Sequence, residues 1–305
     1  MLTSRLITPQ PANPEAEDIF SSSLSTLFTD DIQNSHGVPG GSVIYTSPTY
    51  GVLTLRIPAH PDVEESRRLF AHHLWNASII ATDLIETASS TTTDDAQNSK
   101  PNPFNMRGKT LLELGAGTAL PSLISALSGA EHVTVTDHPE SPSITTSAIA
   151  TNMHMNLISA ARKSSTSIQI AGYVWGTPTL YSASQYGVPL PSLSDVRYSR
   201  ILMCDCLWMR SQHQNLVDSC VRWLSASADS CAIVIAGFHT GRSVVSDFFS
   251  VAAGGDDADG GGPLAIGEIY EIDVDGQRRG WAKERANETK EQAKRWCVVA
   301  ILQRR

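Results

Sequence analysis

Four residues in one short stretch have the types and spacing to hold a nucleoside: Glu113, Gly115, Gly117 and Asp137. Two glycines one residue apart permit a tight turn and leave bare backbone for a ligand to press against. A helix opening directly after them would aim free N–H groups at that ligand. Asp137 stands 22 residues beyond Gly115 (137 − 115), where a carboxylate ending a second strand takes ribose hydroxyls. A dinucleotide fold wants a third glycine where Leu120 stands, and leucine cannot give the close helix–strand approach that glycine allows. A pyrophosphate ligand is therefore disfavoured. An acid just ahead of the glycines, Glu113, is instead the pattern of S-adenosylmethionine (SAM) binding. SAM has no phosphate, and its amino group needs an acceptor. The same residues also suit a plain strand–turn–helix whose glycines only turn the chain.

The elements that must position these residues follow from periodicity. Residues 110–114 are an apolar run of strand length, and Leu120, Leu123, Ile124 and Leu127 then fall three or four apart, as on one helix face. Gly129 marks the helix end, and residues 132–136 form a second strand that delivers Asp137. Residues 143–156 read as a helix opened by Ser141 and Pro142, 168–174 as a third strand, 200–205 as a fourth, 211–224 as a helix, 230–237 as a fifth strand and 242–252 as a helix. Residues 265–274 and 295–302 close the sheet as an edge hairpin, linked by the polar stretch 280–292. The pattern predicts an α/β fold of five βα repeats with a C-terminal antiparallel hairpin.

Upstream of the glycines, residues 42–46 and 51–57 alternate apolar and polar side chains and predict a β-hairpin extension. Residues 1–15 read as an unpacked arm, and 18–29 as a short surface helix. A further helix is expected to start at Asp62, with Glu65 three residues on as a variant capping box. It would run through Phe70, Leu74, Trp75, Ile79, Leu84 and Ile85, and periodicity alone makes Trp75 a core residue on it. Residues 88–105, 177–196 and 254–262 read as loops. Residues 1–61 are thus expected to be an arm and hairpin, and 62–305 one ligand-binding domain.

Composition narrows the function classes. The chain has 305 residues, 41% of them hydrophobic, enough for a sizeable core, and a net charge of −8. That charge argues against nucleic acid as the main partner, since phosphate neutralisation needs a basic surface. Five scattered cysteines, an odd count, suit reduced thiols in the cytoplasm. Cys204 and Cys206 are too close for a relaxed disulfide and have no second Cys/His pair of zinc spacing nearby, so no metal is expected. No run approaches the ~18 apolar residues of a membrane span, and the N-terminal residues lack the apolar segment of a secretory signal.

Four segments line up with one family. They are His72-His73-Leu74-Trp75-Asn76-Ala77; Leu112-Glu113-Leu114-Gly115-Ala116-Gly117 with Leu120-Pro121-Ser122-Leu123; Gly172-Tyr173-Val174-Trp175-Gly176; and Asp205-Cys206-Leu207-Trp208, followed by Ser211, His213, Leu216 and Val217. Together they resemble the seven-β-strand (class I, Rossmann-like) SAM-dependent lysine methyltransferases. The branch resembled is the fungal nicotinamide N-methyltransferase-like one, which includes the elongation factor 1A N-terminal and lysine methyltransferase. Residues 237–239 and 248–249 match more loosely.

The resemblance implies roles residue by residue. Trp75 would wall the SAM pocket; Glu113, Gly115, Ala116 and Gly117 would hold its methionine end; Asp137 would take the ribose hydroxyls; Trp175 would lie along the adenine. Cys204 would sit at the tip of strand four, where the family usually has serine. Asp205 and Trp208 match the family's catalytic Asp-x-x-aromatic motif, with Trp in place of the commoner Tyr or Phe, which bears on the size of the acceptor pocket. The implied activity is N-methylation of a protein lysine or N-terminal amine, with a translation elongation factor as the type of target. A small-molecule amine is the second reading, and a SAM-binding module without catalysis the third.

Overall fold

The computed structural model describes residues 2–9, 33–59, 73–90, 101–158, 165–184, 188–190, 195–255 and 261–305. The helix expected over 18–29, the Asp62 helix start and the middle of the 88–105 loop lie outside these residues.

The N-terminal part supplies β1 (Leu6–Ile7), β2 (Ser35–His36), β3 (Ser42–Ser47), β4 (Gly51–Arg56), β5 (Leu74–Trp75) and α1 (Asn76–Ser90). The glycine stretch then gives β6 (Thr110–Leu114), α2 (Leu120–Leu127) and β7 (His132–Asp137), followed by α3 (Pro142–Thr145), α4 (Ala148–Leu157), β8 (Ser167–Tyr173) and β9 (Leu180–Ser182). The second half runs through β10 (Arg200–Cys204), α5 (His213–Trp223), β11 (Cys231–Gly237), α6 (Arg242–Ala253), β12 (Leu264–Asp273), β13 (Arg278–Gly280), α7 (Lys290–Lys294) and β14 (Trp296–Arg304).

Nine of these strands form the main sheet, in the order β13-β12-β14-β11-β10-β6-β7-β8-β9. From β8 to β11 all pairings are parallel. The chain winds outward from β6 through β7 to β8, and the other way from β10 to β11, so the direction reverses between β6 and β10. In open α/β sheets that switch point opens a crevice at the strand ends, and ligands bind there.

The expected terminal hairpin is present, with its last strand on the inside: β14 pairs antiparallel with both β11 and β12. That position explains its unbroken apolar run, since Cys297 to Leu302 are buried on both faces. Each sheet face has its own core. Leu111, Ile233 and Ile235 pack on one side with α1 and α2. Leu112, Leu114, Ala232 and Val234 pack on the other with Trp223, Phe248 and Phe249. Each fully buried Leu, Ile, Val or Phe side chain among them stabilises the fold by ~1.5–3 kcal/mol relative to exposure.

The predicted hairpin is β3–β4, with Ser42 opposite Arg56 and Ser47 opposite Gly51. Its inward residues Val43, Tyr45, Leu53 and Leu55 join the α1–α2 core. Its free edge is satisfied by two asparagines one turn apart on α4. Asn152 accepts from the Arg56 N–H (2.7 Å) and donates to the Arg56 carbonyl (3.1 Å). Asn156 does the same for Thr54, at 3.1 and 2.8 Å. Helix α4 thus stands in for a strand along β4.

Some boundaries differ from the sequence reading. The helix carrying Ile79 and Leu84 begins at Asn76, and Leu74–Trp75 is a strand paired with Ser35–His36. A local helical pattern yields here to a cross-chain backbone ladder. The helix expected over 143–156 is broken by Ser147, whose φ of 57° is left-handed, into α3 and α4. The stretch 177–196 contains β9, and the polar link 280–292 contains α7, opened by a capping box of Thr289 and Gln292. No helix among the described residues is long and apolar enough to cross a membrane.

Candidate active site

The β6/β10 switch point opens onto a crevice of about 310 Å³. Of the residues expected from the sequence, Trp75, Gly115, Gly117, Asp137, Trp175, Cys204, Asp205 and Trp208 line it. Ala116 is buried behind the turn, its N–H donating to the Thr136 carbonyl at 2.9 Å. Glu113 is fully buried beneath the turn, outside the lining. Sequence reasoning gave no role to His73, His138, Tyr173, Cys206, Gln212 and His239, which also line the crevice. Four of these are signalled by position: His138, Tyr173, Cys206 and His239 stand at or just beyond the C-terminal end of a parallel strand.

At one end of the crevice is the glycine turn. Gly115 and Gly117 have φ of 64° and 54°, a left-handed conformation that side-chain-bearing residues adopt at a cost. A Cβ on Gly115 would also lie 3.0 Å from Cys206 Sγ and 3.2 Å from Trp175 Cζ2. One on Gly117 would meet nothing within 4 Å, so that glycine leaves open space against the backbone. Asp137 faces this space. Its Oδ2 accepts from the Gly117 N–H and its Oδ1 from the His138 N–H, both at 2.8 Å. Burial pushes the Asp137 carboxyl up, opposed by those two backbone donors.

Below the turn, the Ser122 hydroxyl donates to Glu113 Oε2. Burial pushes the Glu113 carboxyl up to about 8, against that hydrogen bond. Its Oε1 is buried with no hydrogen-bond partner among the described residues. An open glycine cradle and a buried carboxylate facing it fit a ligand with ribose hydroxyls. Among the described residues, no Lys or Arg lines the crevice. The residues therefore fit SAM.

At the other end, β10 delivers Cys204 and then Asp205, whose φ of 60° is left-handed. Asp tolerates that region better than most residues, and such outliers gather at functional sites. The Asp205 N–H donates to the Ile235 carbonyl at 2.8 Å, and its Oδ1 accepts from the Gly237 N–H at 3.1 Å. Asp205 therefore ties β10 to β11 instead of capping the helix that follows, and neither the Arg210–Gln212 turn nor α5 has a side-chain cap. His239 Nδ1 lies 3.7 Å from the same Oδ1. Trp75 stacks on the His239 ring, with centroids 5.0 Å apart and planes inclined at 22°, and His73 meets Trp75 edge-on at 6.0 Å. Burial pushes the thiols of Cys204 and Cys206 well up, so both remain unreactive thiols at neutral pH.

The family model described as lysine methyltransferase matches residues 62–253. The protein N-terminal and lysine N-methyltransferase of Schizosaccharomyces pombe is 29% identical over 223 residues, covering 70% of this chain and 78% of its own. Its Gibberella zeae counterpart is 27% identical, over 64% of this chain and 66% of its own. That of Aspergillus fumigatus is 31% identical, over 56% and 57%. Among solved structures, magnesium protoporphyrin IX methyltransferase from Synechocystis PCC 6803 with bound SAH superimposes with a TM-score of 0.39 at 10% identity, over 78% of this chain and 91% of that one. TrmN from Thermus thermophilus does so at 0.42 and 10%, over 98% and 70%. A family match over more than half of its length places the chain in the lysine methyltransferase family, as a SAM-dependent methyltransferase.

Proposed function

We propose that this enzyme methylates a protein amine, a lysine or an N-terminal amine, with a translation elongation factor as the type of target. The observation that carries this reading is the division of one crevice into a nucleoside end at Asp137 and the glycine turn, and an acidic, aromatic end at Asp205, Trp75 and Trp208. The names of the curated relatives point to the same acceptor class.

SAM, when bound, supplies an electrophilic methyl group on a sulfonium. Asp137 would accept its ribose hydroxyls, and Gly115, Ala116 and Gly117 would offer backbone to its methionine end, with Glu113 buried beneath them. Trp175, 3.2 Å from where a Cβ on Gly115 would stand, would lie along the adenine, and Cys204 would sit on the floor of the pocket. Asp205 hydrogen-bonds the acceptor amine. Trp208 faces its ammonium form by cation–π attraction, worth ~0.5–2 kcal/mol, while Trp75, stacked on His239, walls the crevice. Holding amine and methyl group in line contributes up to ~7–11 kcal/mol of the barrier in well-aligned systems.

Incubating the purified chain with radiolabelled SAM and a cell lysate tests the reading. The expected result is a labelled protein band, with mass spectrometry locating methyl groups on lysine or a terminal amine. Label confined to the small-molecule fraction would overturn the protein acceptor, and SAM binding without transfer would overturn the catalytic role.

A further inference from the structure

An acceptor amine is protonated when it arrives: lysine loses its proton near pH 10.4 and an α-amino group near 7.7–8.0. Only the neutral amine has the electron pair that attacks carbon, so some group must take the proton. Glu113 lies beneath the turn, and Asp137 is held at the nucleoside end by the N–H groups of Gly117 and His138. The Cys204 and Cys206 thiols, with burial raising them, are not proton acceptors. At the acceptor end the candidates are Asp205 and His239. Burial pushes the Asp205 carboxyl up, against the attraction of His239 and the Gly237 N–H.

We propose that His239 is the base that takes the proton from the acceptor amine, with Asp205 orienting its ring and stabilising the imidazolium; this rests on the protein-amine reading above. His239 stands on the turn after β11, two residues beyond the Gly237 whose N–H holds Asp205. Its Nδ1 is on the Asp205 side, at 3.7 Å, which leaves Nε2 for the amine. At 3.7 Å the pair is longer than a hydrogen bond, as catalytic contacts often are before substrate binds. The ring is 21% exposed and clamped face-on by Trp75, so the proton it gains has a path to water.

The other charged and titratable groups around it do not compete. His73 lies across Trp75. Arg242, at the start of α6, is engaged by Glu271 at 2.7 Å and by Glu288. The step balances. The ammonium N–H bond breaks, its electron pair stays on nitrogen, and the proton moves to His239. The neutral amine then takes the methyl group, the C–S electron pair remains on sulfur, and His239 returns its proton to water.

The test compares the full-length wild type with His239→Phe and His239→Gln, using radiolabelled SAM at saturation and the protein fraction of a lysate, across pH. Phenylalanine keeps a flat ring against Trp75 but cannot accept a proton. Both variants should bind SAM within about threefold of wild type by calorimetry. Labelling should fall at least about tenfold near pH 7 and recover to within about threefold by pH 10, where the amine is increasingly neutral without help. A defect of equal size at every pH would reduce His239 to a packing partner of Trp75 and overturn the assignment, as would no defect at pH 7. Those results leave the acceptor reading standing, because the wild type still labels protein. Failure of the wild type to label any protein overturns that reading and this assignment with it.

Discussion

Asp137 and Asp205 are buried carboxylates at the ends of β7 and β10, and their partners separate their roles. Asp137 holds the N–H groups of Gly117 and His138, beside the glycine cradle. Replacing it with alanine removes charge-assisted hydrogen bonds worth ~1.5–3 kcal/mol. SAM affinity should drop roughly ten- to a hundredfold in a folded protein, and calorimetric titration reads this directly. Unchanged affinity would exclude the ribose role. Asp205 instead spans β10 and β11 at the acceptor end. Asp205→Asn and Trp208→Ala should keep SAM affinity within ~threefold, while turnover falls at least ~tenfold, or ~1.4 kcal/mol of transition-state stabilisation. Normal turnover in both variants at saturating SAM would remove the motif from the active site. The acids and glycines were legible because their spacing along one βαβ unit is local. His239 is marked only by its place just beyond β11; its relation to Asp205 arises across two strands, through residues 32 apart (237 − 205).

Among the elements, Trp75 shows how a periodic pattern misleads. Leu74, Trp75 and Ile79 have helical spacing, yet Ser35–His36 draws Leu74–Trp75 into a ladder and His36 Nε2 contacts Asn76 Oδ1 at 2.7 Å, where α1 begins. The result aims the Trp75 ring at the crevice instead of the core. Helix α4 shows a different case, a pair of polar side chains buried against a strand edge. Asn152 is fully buried and joins Arg56 of β4 to the Thr118 carbonyl behind the glycine turn. Asn152→Ala removes its hydrogen bonds to the Arg56 backbone and to the Thr118 carbonyl, each worth ~0.5–1.5 kcal/mol net, about 1–3 kcal/mol in all. Urea denaturation should show a loss of that size. A loss below ~0.5 kcal/mol would mean that β4 does not depend on α4 for its edge.

For the whole molecule, Glu113 couples stability to pH. Its folded carboxyl, raised by burial to about 8 from 4.5, binds more protons than its unfolded counterpart between those values. The unfolding free energy therefore falls as pH rises through that window, and the penalty is complete above about 8. Glutamine keeps an acceptor for Ser122 and cannot ionise. Glu113→Gln should raise the Tm at pH 9, by ~2–4 °C for each kcal/mol recovered, and leave it unchanged near pH 4. Scanning calorimetry at both pH values decides the matter: an equal shift at both would exclude ionisation as the cause. If Glu113 also receives the amino group of SAM, the same variant should weaken SAM binding.

By itself the sequence determined the order of the five parallel strands, the glycine turn, the acid that follows it and the family. Each of these rests on neighbours in the chain: alternation, helical spacing, φ-permissive glycines and a fixed reach from β6 to β7. Only the tertiary structure decided that β14 lies inside the terminal hairpin, that Trp75 leaves its helix and that Asp205 meets Gly237 and His239. Those arrangements follow from how separate segments satisfy each other's backbone hydrogen bonds and fill a shared core. Neither requirement leaves a mark at fixed spacing in the chain.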